Sequence, residues 1–121
     1  MSEAFFDTNV LIDWLNDRPA AAAELRLYDR YRISRIVWAE VLAGEPSTTR
    51  MKVQRLLDPF EIVEVDAAVA VRAAEIRHNG RIKLMDALIY ATARLHDTVL
   101  VTRNTKDFPA AMPGIRIPYV L

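Results

Sequence analysis

Short apolar runs alternate with stretches of helical period along most of the chain. Ala4-Phe5-Phe6 is an apolar run that stops at Asp7, which predicts a buried strand carrying a carboxylate at its C-terminal end. Val10, Leu11, Trp14 and Leu15 follow at helical spacing, with Asp7 or Thr8 available to cap them. Pro19 suits the first turn of an alanine-rich helix running to about Tyr28. Tyr31-Arg32-Ile33-Ser34 predicts a second strand, and Ile36, Val37, Glu40 and Val41 a helix stopped at Gly44. A helix from Pro46 to Leu57, a strand over Phe60–Val65, and a helix from Ala67 to His78 capped by Asp66 come next. Ala87 to Leu95 is strongly apolar and helical, Thr98–Thr102 is the clearest strand, and Ile115-Arg116-Ile117 reads as an edge strand after Pro113-Gly114. Strands separated by helices predict a parallel sheet covered on both faces.

The 121 residues suffice for one core, and no linker, repeat or low-complexity block divides them, so residues 1–121 read as a single domain. Hydrophobic residues at 52% and charged residues at 26% exclude disorder as the main state. No apolar run approaches the ~20 residues of a membrane helix, and Met1-Ser2-Glu3 has no basic leader region. The absence of Cys excludes disulfides, thiolate nucleophiles and Cys zinc sites, and fits a cytoplasmic protein. Net charge is zero, which argues against nucleic-acid binding by bulk positive charge. The charge is unevenly spread, however. Residues 1–71 hold eight Lys/Arg against twelve Asp/Glu, and residues 72–106 hold seven against three. These are solvated helix faces or a local basic surface.

Open parallel sheets bind ligands beyond the C-terminal ends of their strands. Asp7 falls there, as do Thr102, Asn104 and Asp107 after the Thr98 strand, and Asp86 opens an apolar helix. Glu40 lies within a helix between Trp38-Ala39 and Val41-Leu42, where a carboxylate is costly unless something pairs with it. Each has a structural use as well: Asp7 and Asp86 as helix caps, Asp107 as a turn residue, Glu40 as a partner for Arg35. Convergence of several carboxylates on one sheet edge would instead demand a hard dication such as Mg²⁺ or Mn²⁺, which suits phosphoryl chemistry. His78 and His96 read as surface or capping residues, and no glycine-rich phosphate loop is present.

Phe6-Asp7-Thr8-Asn9-Val10-Leu11-Ile12-Asp13 resembles the opening motif of PIN domains. Ile33-Ser34 with Glu40 downstream, Asp86–Ala93, and Leu100-Val101-Thr102-Arg103-Asn104-Thr105-Lys106-Asp107-Phe108 resemble the later motifs, in order and over nearly the whole chain. A free-standing domain of this length is similar to VapC-type toxins of toxin–antitoxin pairs. The resemblance implies a three-layer α/β/α sandwich with a central, mostly parallel sheet of four to five strands. It implies a Mg²⁺- or Mn²⁺-dependent endoribonuclease that attacks RNA phosphodiesters with a metal-activated water. Asp7 and Asp86 would be the main metal ligands, and Glu40 and Asp107 would complete the cluster. Asn9, Thr102 and Asn104 would hold loops and carboxylates in place, and Arg103 and Lys106 would meet RNA phosphates. The implied partners are an RNA substrate, a cognate VapB-like antitoxin and a second copy in a homodimer. Trp14, Leu15, Leu25, Tyr28, Trp38 and Leu42 are candidates for the antitoxin groove, although a stripe of this kind is more often plain core.

Two departures accompany the resemblance. The stretch between Glu40 and Asp86 is short, and Arg81-Ile82-Lys83-Leu84-Met85 is more basic than usual. The competing readings are a PIN-like module that binds RNA or protein without catalysis, and a haloacid-dehalogenase-like phosphatase. The phosphatase family wants a second Asp two residues after the first, where this chain has Asn9.

Overall fold

Five strands form one sheet in the computed structural model, which describes residues 2–121. Met1, part of the stretch read for a leader, lies outside the described residues. The strands are β1 (Glu3–Phe6), β2 (Arg30–Ser34), β3 (Glu61–Val63), β4 (Leu100–Val101) and β5 (Ile115–Arg116). Their order is β3-β2-β1-β4-β5, and every neighbouring pair is parallel. The helices are α1 (Thr8–Leu15), α2 (Pro19–Leu25), α3 (Arg35–Ala43), α4 (Ser47–Leu56), α5 (Ala67–Asn79) and α6 (Leu84–Leu95).

Parallel neighbours require crossover connections. From β1 through β2 to β3 the chain moves across the sheet one way, and from β3 to β4 it returns past β1. With right-handed crossovers, that reversal puts the helices of the first two connections on one face and α5 and α6 on the other. The two phenylalanines of β1 bear this out, because successive strand residues point to opposite faces. Phe5 meets the ring of His96, just past α6, at 5.7 Å; Phe6 meets Tyr28, just past α2, at 5.6 Å edge-on. Both rings are essentially fully buried, and burial of each is worth about 2–3 kcal/mol. The expected three-layer α/β/α arrangement is therefore the observed one.

Local chemistry sets the helix starts. Asp7, Ser34 and Asp66 each cap the following helix by accepting a backbone N–H, from Thr8, Ile36 and Val69 respectively. Pro19 opens α2, as its fixed φ favours. The helix predicted to begin at Ala87 instead begins at Leu84, with Lys83 at the cap position and no side-chain cap. Asp86 thus lies within the first turn and caps nothing.

Strand order reverses between β1 and β4. The crevice beyond the C-terminal ends of these two strands is the topological switch point of the sheet. Asp7 and Thr102 are the first residues past those ends. α3 packs on both α1 and α6, which brings its Glu40 toward residues of the other layer.

Candidate active site

Asp7 is the fixed point of the crevice. It is 4% exposed, and its backbone N–H continues the β1–β4 ladder by donating to the Val101 carbonyl at 2.9 Å. Its Oδ1 accepts the Thr8 N–H at 2.8 Å, and its Oδ2 accepts the Thr102 hydroxyl at 2.7 Å and the Asn9 amide at 3.4 Å. A carboxylate offers two lone pairs per oxygen, so Oδ1 retains one unfilled acceptor position. Burial pushes the Asp7 carboxyl above its ordinary range. The neighbouring Glu40 charge adds to that, while the bonds from Thr102, Thr8 and Asn9 oppose it.

The loop after β4 is laced to Asp7 through Thr102 and Asn9. Thr102 is fully buried, and its hydroxyl also accepts the Asn9 amide at 3.3 Å and the Asn104 N–H at 3.1 Å. Asn9 Oδ1 accepts the Arg103 N–H at 3.2 Å. Asn104 then organises the turn: its amide donates to Asp107 Oδ2 at 2.9 Å, and its Oδ1 accepts the Asp107 N–H at 3.2 Å. Asn9, Thr102 and Asn104 are thus all engaged in holding the loop.

Asp86 joins from the other layer. Its carboxyl is pushed up to about 6, first by burial and then by the charges of Asp7, Asp107 and Glu40, with Lys83 pulling weakly the other way. Those couplings put Asp7, Asp107 and Glu40 within electrostatic reach of Asp86. Glu40 is exposed, and its Oε1 accepts the Thr8 hydroxyl at 2.6 Å. Arg35, the alternative partner, bonds to Glu64 instead.

Among the described residues, no ion pair ties Asp7, Glu40, Asp86 or Asp107 to a lysine or arginine. The donor set is all oxygen and mutually repulsive, which is the chemistry of a hard divalent cation. In the side-chain positions present, no three carboxylates or imidazoles among the described residues are placed to hold an ion in common. One Glu40 oxygen is committed to Thr8 and one Asp107 oxygen to Asn104. The donor chemistry fits such an ion; closing a coordination shell requires side-chain rotation.

Arg103 has a partner that the sequence did not suggest. Its Nε and Nη2 donate to Asp13 at 2.6 and 3.0 Å, and Tyr119 donates to the same carboxylate at 2.7 Å. Its Nη1 makes no hydrogen bond to another described residue. Lys106 is exposed beside the turn. Thr8, Asp13 and Tyr119 are the supporting residues that sequence reasoning missed. Only their place in or after the first motif pointed to the first two.

Of the apolar candidates for a partner groove, Leu25, Tyr28 and Leu42 are core residues, and Trp14, Leu15 and Trp38 are half-buried against that core. The apolar cleft that does open between α1 and α3 is about 190 Å³ and is lined by Ile12, Leu15, Val41 and their polar neighbours.

The family model for the PIN domain matches residues 4–111. Ribonuclease VapC10 of Mycobacterium tuberculosis is 35% identical over 91% of this chain and 95% of its own length. A toxin–antitoxin complex from Klebsiella pneumoniae contains a chain 39% identical, with a TM-score of 0.91 over 98% of this chain and 99% of that one. FitAcB from Neisseria gonorrhoeae is 28% identical with a TM-score of 0.80 over the full length of both chains.

Proposed function

The chain belongs to the PIN-domain family, and from that premise we propose that it is the toxin of a VapBC-type pair, a divalent-metal-dependent endoribonuclease. The observation that carries this reading is the gathering of Asp7, Glu40 and Asp107 around Asp86 at the switch point, with Asp7 buried and Asp86 pushed up to about 6 by burial first and by its acidic neighbours second. Structural ion pairs have their countercharge built in; this set has none. The related ribonuclease, alike over nearly its whole length, supports RNA as the substrate.

Asp7 and Asp86 are the residues proposed to hold Mg²⁺ or Mn²⁺, with Glu40 and Asp107 completing the site. When bound, such an ion supplies Lewis acidity toward a phosphate oxygen and lowers the pKa of water. The chain's own part is positioning. Thr102, Asn9 and the Thr8 N–H fix the Asp7 carboxylate and leave one Oδ1 lone pair unfilled. Thr8 holds Glu40, and Asn104 holds Asp107. The Nη1 edge of Arg103 and the ammonium of Lys106 are proposed to meet RNA phosphates, which orient a strand without reading its sequence.

Residues 1–121 are proposed to work as one PIN-like domain in the cytoplasm, as a homodimer. The partner is a cognate antitoxin, in keeping with the toxin–antitoxin complex from Klebsiella pneumoniae, one chain of which shares this fold. Its apolar segment is proposed to seat on Ile12, Leu15 and Val41 between α1 and α3. No helix among the described residues is long and apolar enough to cross a membrane.

The test is RNA cleavage by the purified chain with Mg²⁺ or Mn²⁺ and then with EDTA. Cleavage is expected only with metal, and is expected to vanish in folded Asp7→Asn and Asp86→Asn variants. Cleavage that survives EDTA, or that is unchanged in both variants, overturns the mechanism. RNA retention without cleavage would return the chain to the binding-module reading.

A further inference from the structure

Beside the acidic crevice, between the C-terminal end of α5 and the turn after Asp107, lies an open cleft of about 440 Å³. That volume is within the roughly 300–1,000 Å³ typical of small-ligand sites. Ile76, Ile82, Pro109 and Met112 provide apolar walls, and Asn79, Arg81 and Lys106 stand among them as polar groups. Asp107 contributes one edge, so the cleft shares a residue with the site proposed to cut RNA. We propose that it seats one unpaired nucleotide of the substrate strand, next to the phosphate that is cut. The proposal rests on the nuclease reading and adds to it the part of the substrate that is gripped.

The chemistry of the lining fits a nucleotide better than a bare anion or an apolar side chain. Single-stranded RNA is recognised by bases turned out of the stack, stacked on aromatic or guanidinium planes and bonded along their edges. Here the aliphatic side chains of Ile76, Ile82, Pro109 and Met112 take the place of an aromatic platform. The Asn79 amide carries both a donor and an acceptor for a base edge. Arg81 and Lys106 are exposed, and among the described residues neither is in an ion pair, so their charges face the sugar–phosphate side. Gly80, also in the lining, lets a ligand approach the backbone closely because it has no side chain.

Both walls are already held. The Ile82 carbonyl accepts Arg77 Nη1 at 3.0 Å, tying the loop after α5 back to that helix. On the facing wall the Met112 N–H donates to the Pro109 carbonyl at 2.9 Å, closing a turn. A preformed cleft spares part of the ordering cost of binding. Cations set to one side of an acidic centre also solve a problem of sign. The carboxylates repel a polyanion, and Arg81 and Lys106 attract it to a place from which a phosphate can reach them.

The experiment uses the full chain in EDTA and a fluorescein-labelled single-stranded RNA decamer, with an abasic nucleotide walked through each position. Removal of one base is expected to weaken binding about fivefold or more, with the other positions nearly flat. Met112→Trp, which crowds the cleft with a bulkier side chain, and Asn79→Ala, on an exposed helix end that does not risk the fold, are each expected to erase that position dependence. Arg81→Ala and Lys106→Ala are expected to lower the slope of log affinity against log salt by about 0.7 each. A flat scan in the unaltered chain, no RNA binding at all, or a scan that neither Met112→Trp nor Asn79→Ala changes overturns the proposal. If Met112→Trp leaves RNA binding intact but weakens the cognate antitoxin, the cleft belongs to the protein partner and the proposal is likewise overturned. Cleavage with Mg²⁺, measured separately, keeps the two readings apart. Metal-dependent cutting with a flat scan retains the nuclease and rejects the cleft; a position-dependent scan without cutting does the reverse.

Discussion

Arg103 closes two arms of its guanidinium on Asp13, at 2.6 and 3.0 Å, across 90 residues of sequence. The pair joins α1 to the loop that carries Thr102, Asn104 and Asp107, so it sets where that loop lies over Asp7. Asp13 is buried at 5% side-chain exposure, whereas Arg103 reaches the surface at 33%. A bidentate, charge-assisted pair of this kind is among the stronger hydrogen-bonded contacts.

Removal of that acceptor strands the arginine and the Tyr119 hydroxyl together. Asp13→Ala is expected to destabilise the protein by about 2 kcal/mol, read as a drop in urea midpoint without a change in slope. Arg103 and Tyr119 hold the Asp13 carboxyl below its ordinary range against its burial. Its contribution is therefore present above the unfolded value of 3.8 and is lost as pH falls through the lower folded value. The gap between the parent chain and Asp13→Ala should close in strong acid. A gap independent of pH would mean that packing, not charge, explains the loss.

Asp86 has the opposite sign. Its carboxyl is raised from 3.8 to about 6, so the native state binds the extra proton between those values and stability falls as pH rises through that window. Asp86→Asn is expected to raise the stability of the metal-free chain at pH 7 by about 1 kcal/mol, after allowance for solvent screening of this half-exposed group. The gain should disappear below pH 4 while RNA cleavage is abolished throughout. Equal stability of the two chains at pH 7 would deny that burial and the neighbouring charges penalise the Asp86 carboxylate.

Thr102 does its work through one oxygen. Thr102→Val keeps the shape but leaves Asp7 Oδ2 without its 2.7 Å donor, and the Asn9 amide and Asn104 N–H without their acceptor. Metal-dependent cleavage should fall at least tenfold, with about 1–2 kcal/mol of stability lost. Thr102→Ser, which restores the hydroxyl, should recover most of both. Failure of the serine to rescue would point to the methyl group's packing instead.

The Thr8 hydroxyl bond to Glu40 is local to the site and carries little of the fold. Thr8→Val is expected to leave thermal stability within about 0.5 kcal/mol of the parent, as for ordinary surface changes. It should raise several-fold the Mg²⁺ concentration needed for half-maximal cleavage. An unchanged metal requirement would remove Glu40 from the proposed ion site.

Where chemistry is local, the sequence was readable. Asp7 stands at a strand end followed at once by helical spacing, and its cap and its place at the switch point both follow from that. Asn104 and Asp107 close a turn within four residues. Asp86 was legible by type but not by position, because α6 starts at Leu84 with no side-chain cap to mark it. β4 is only two residues long where five had read as strand. The flanking threonines spend their hydroxyls elsewhere, Thr98 on Glu3 and the His96 carbonyl, and Thr102 on Asp7. The Asp13–Arg103 pair left no trace, since nothing in a chain announces which of sixteen cations will meet which carboxylate. The same holds for the apolar stripe, where helical spacing cannot tell Leu25 in the core from Ile12 at the lip of a cleft.

A second bridge matches the first: Glu24, buried in α2, accepts Arg116 of β5 at 2.6 and 2.9 Å and the Tyr28 hydroxyl at 2.8 Å. Both early helices thus bury a carboxylate whose countercharge is encoded about ninety codons downstream. Until the C-terminal strand is made, Asp13 and Glu24 lack their arginines, and burying either carboxylate without its countercharge costs about 3–5 kcal/mol. The seating of the first two helices therefore waits on the last fifth of the polypeptide.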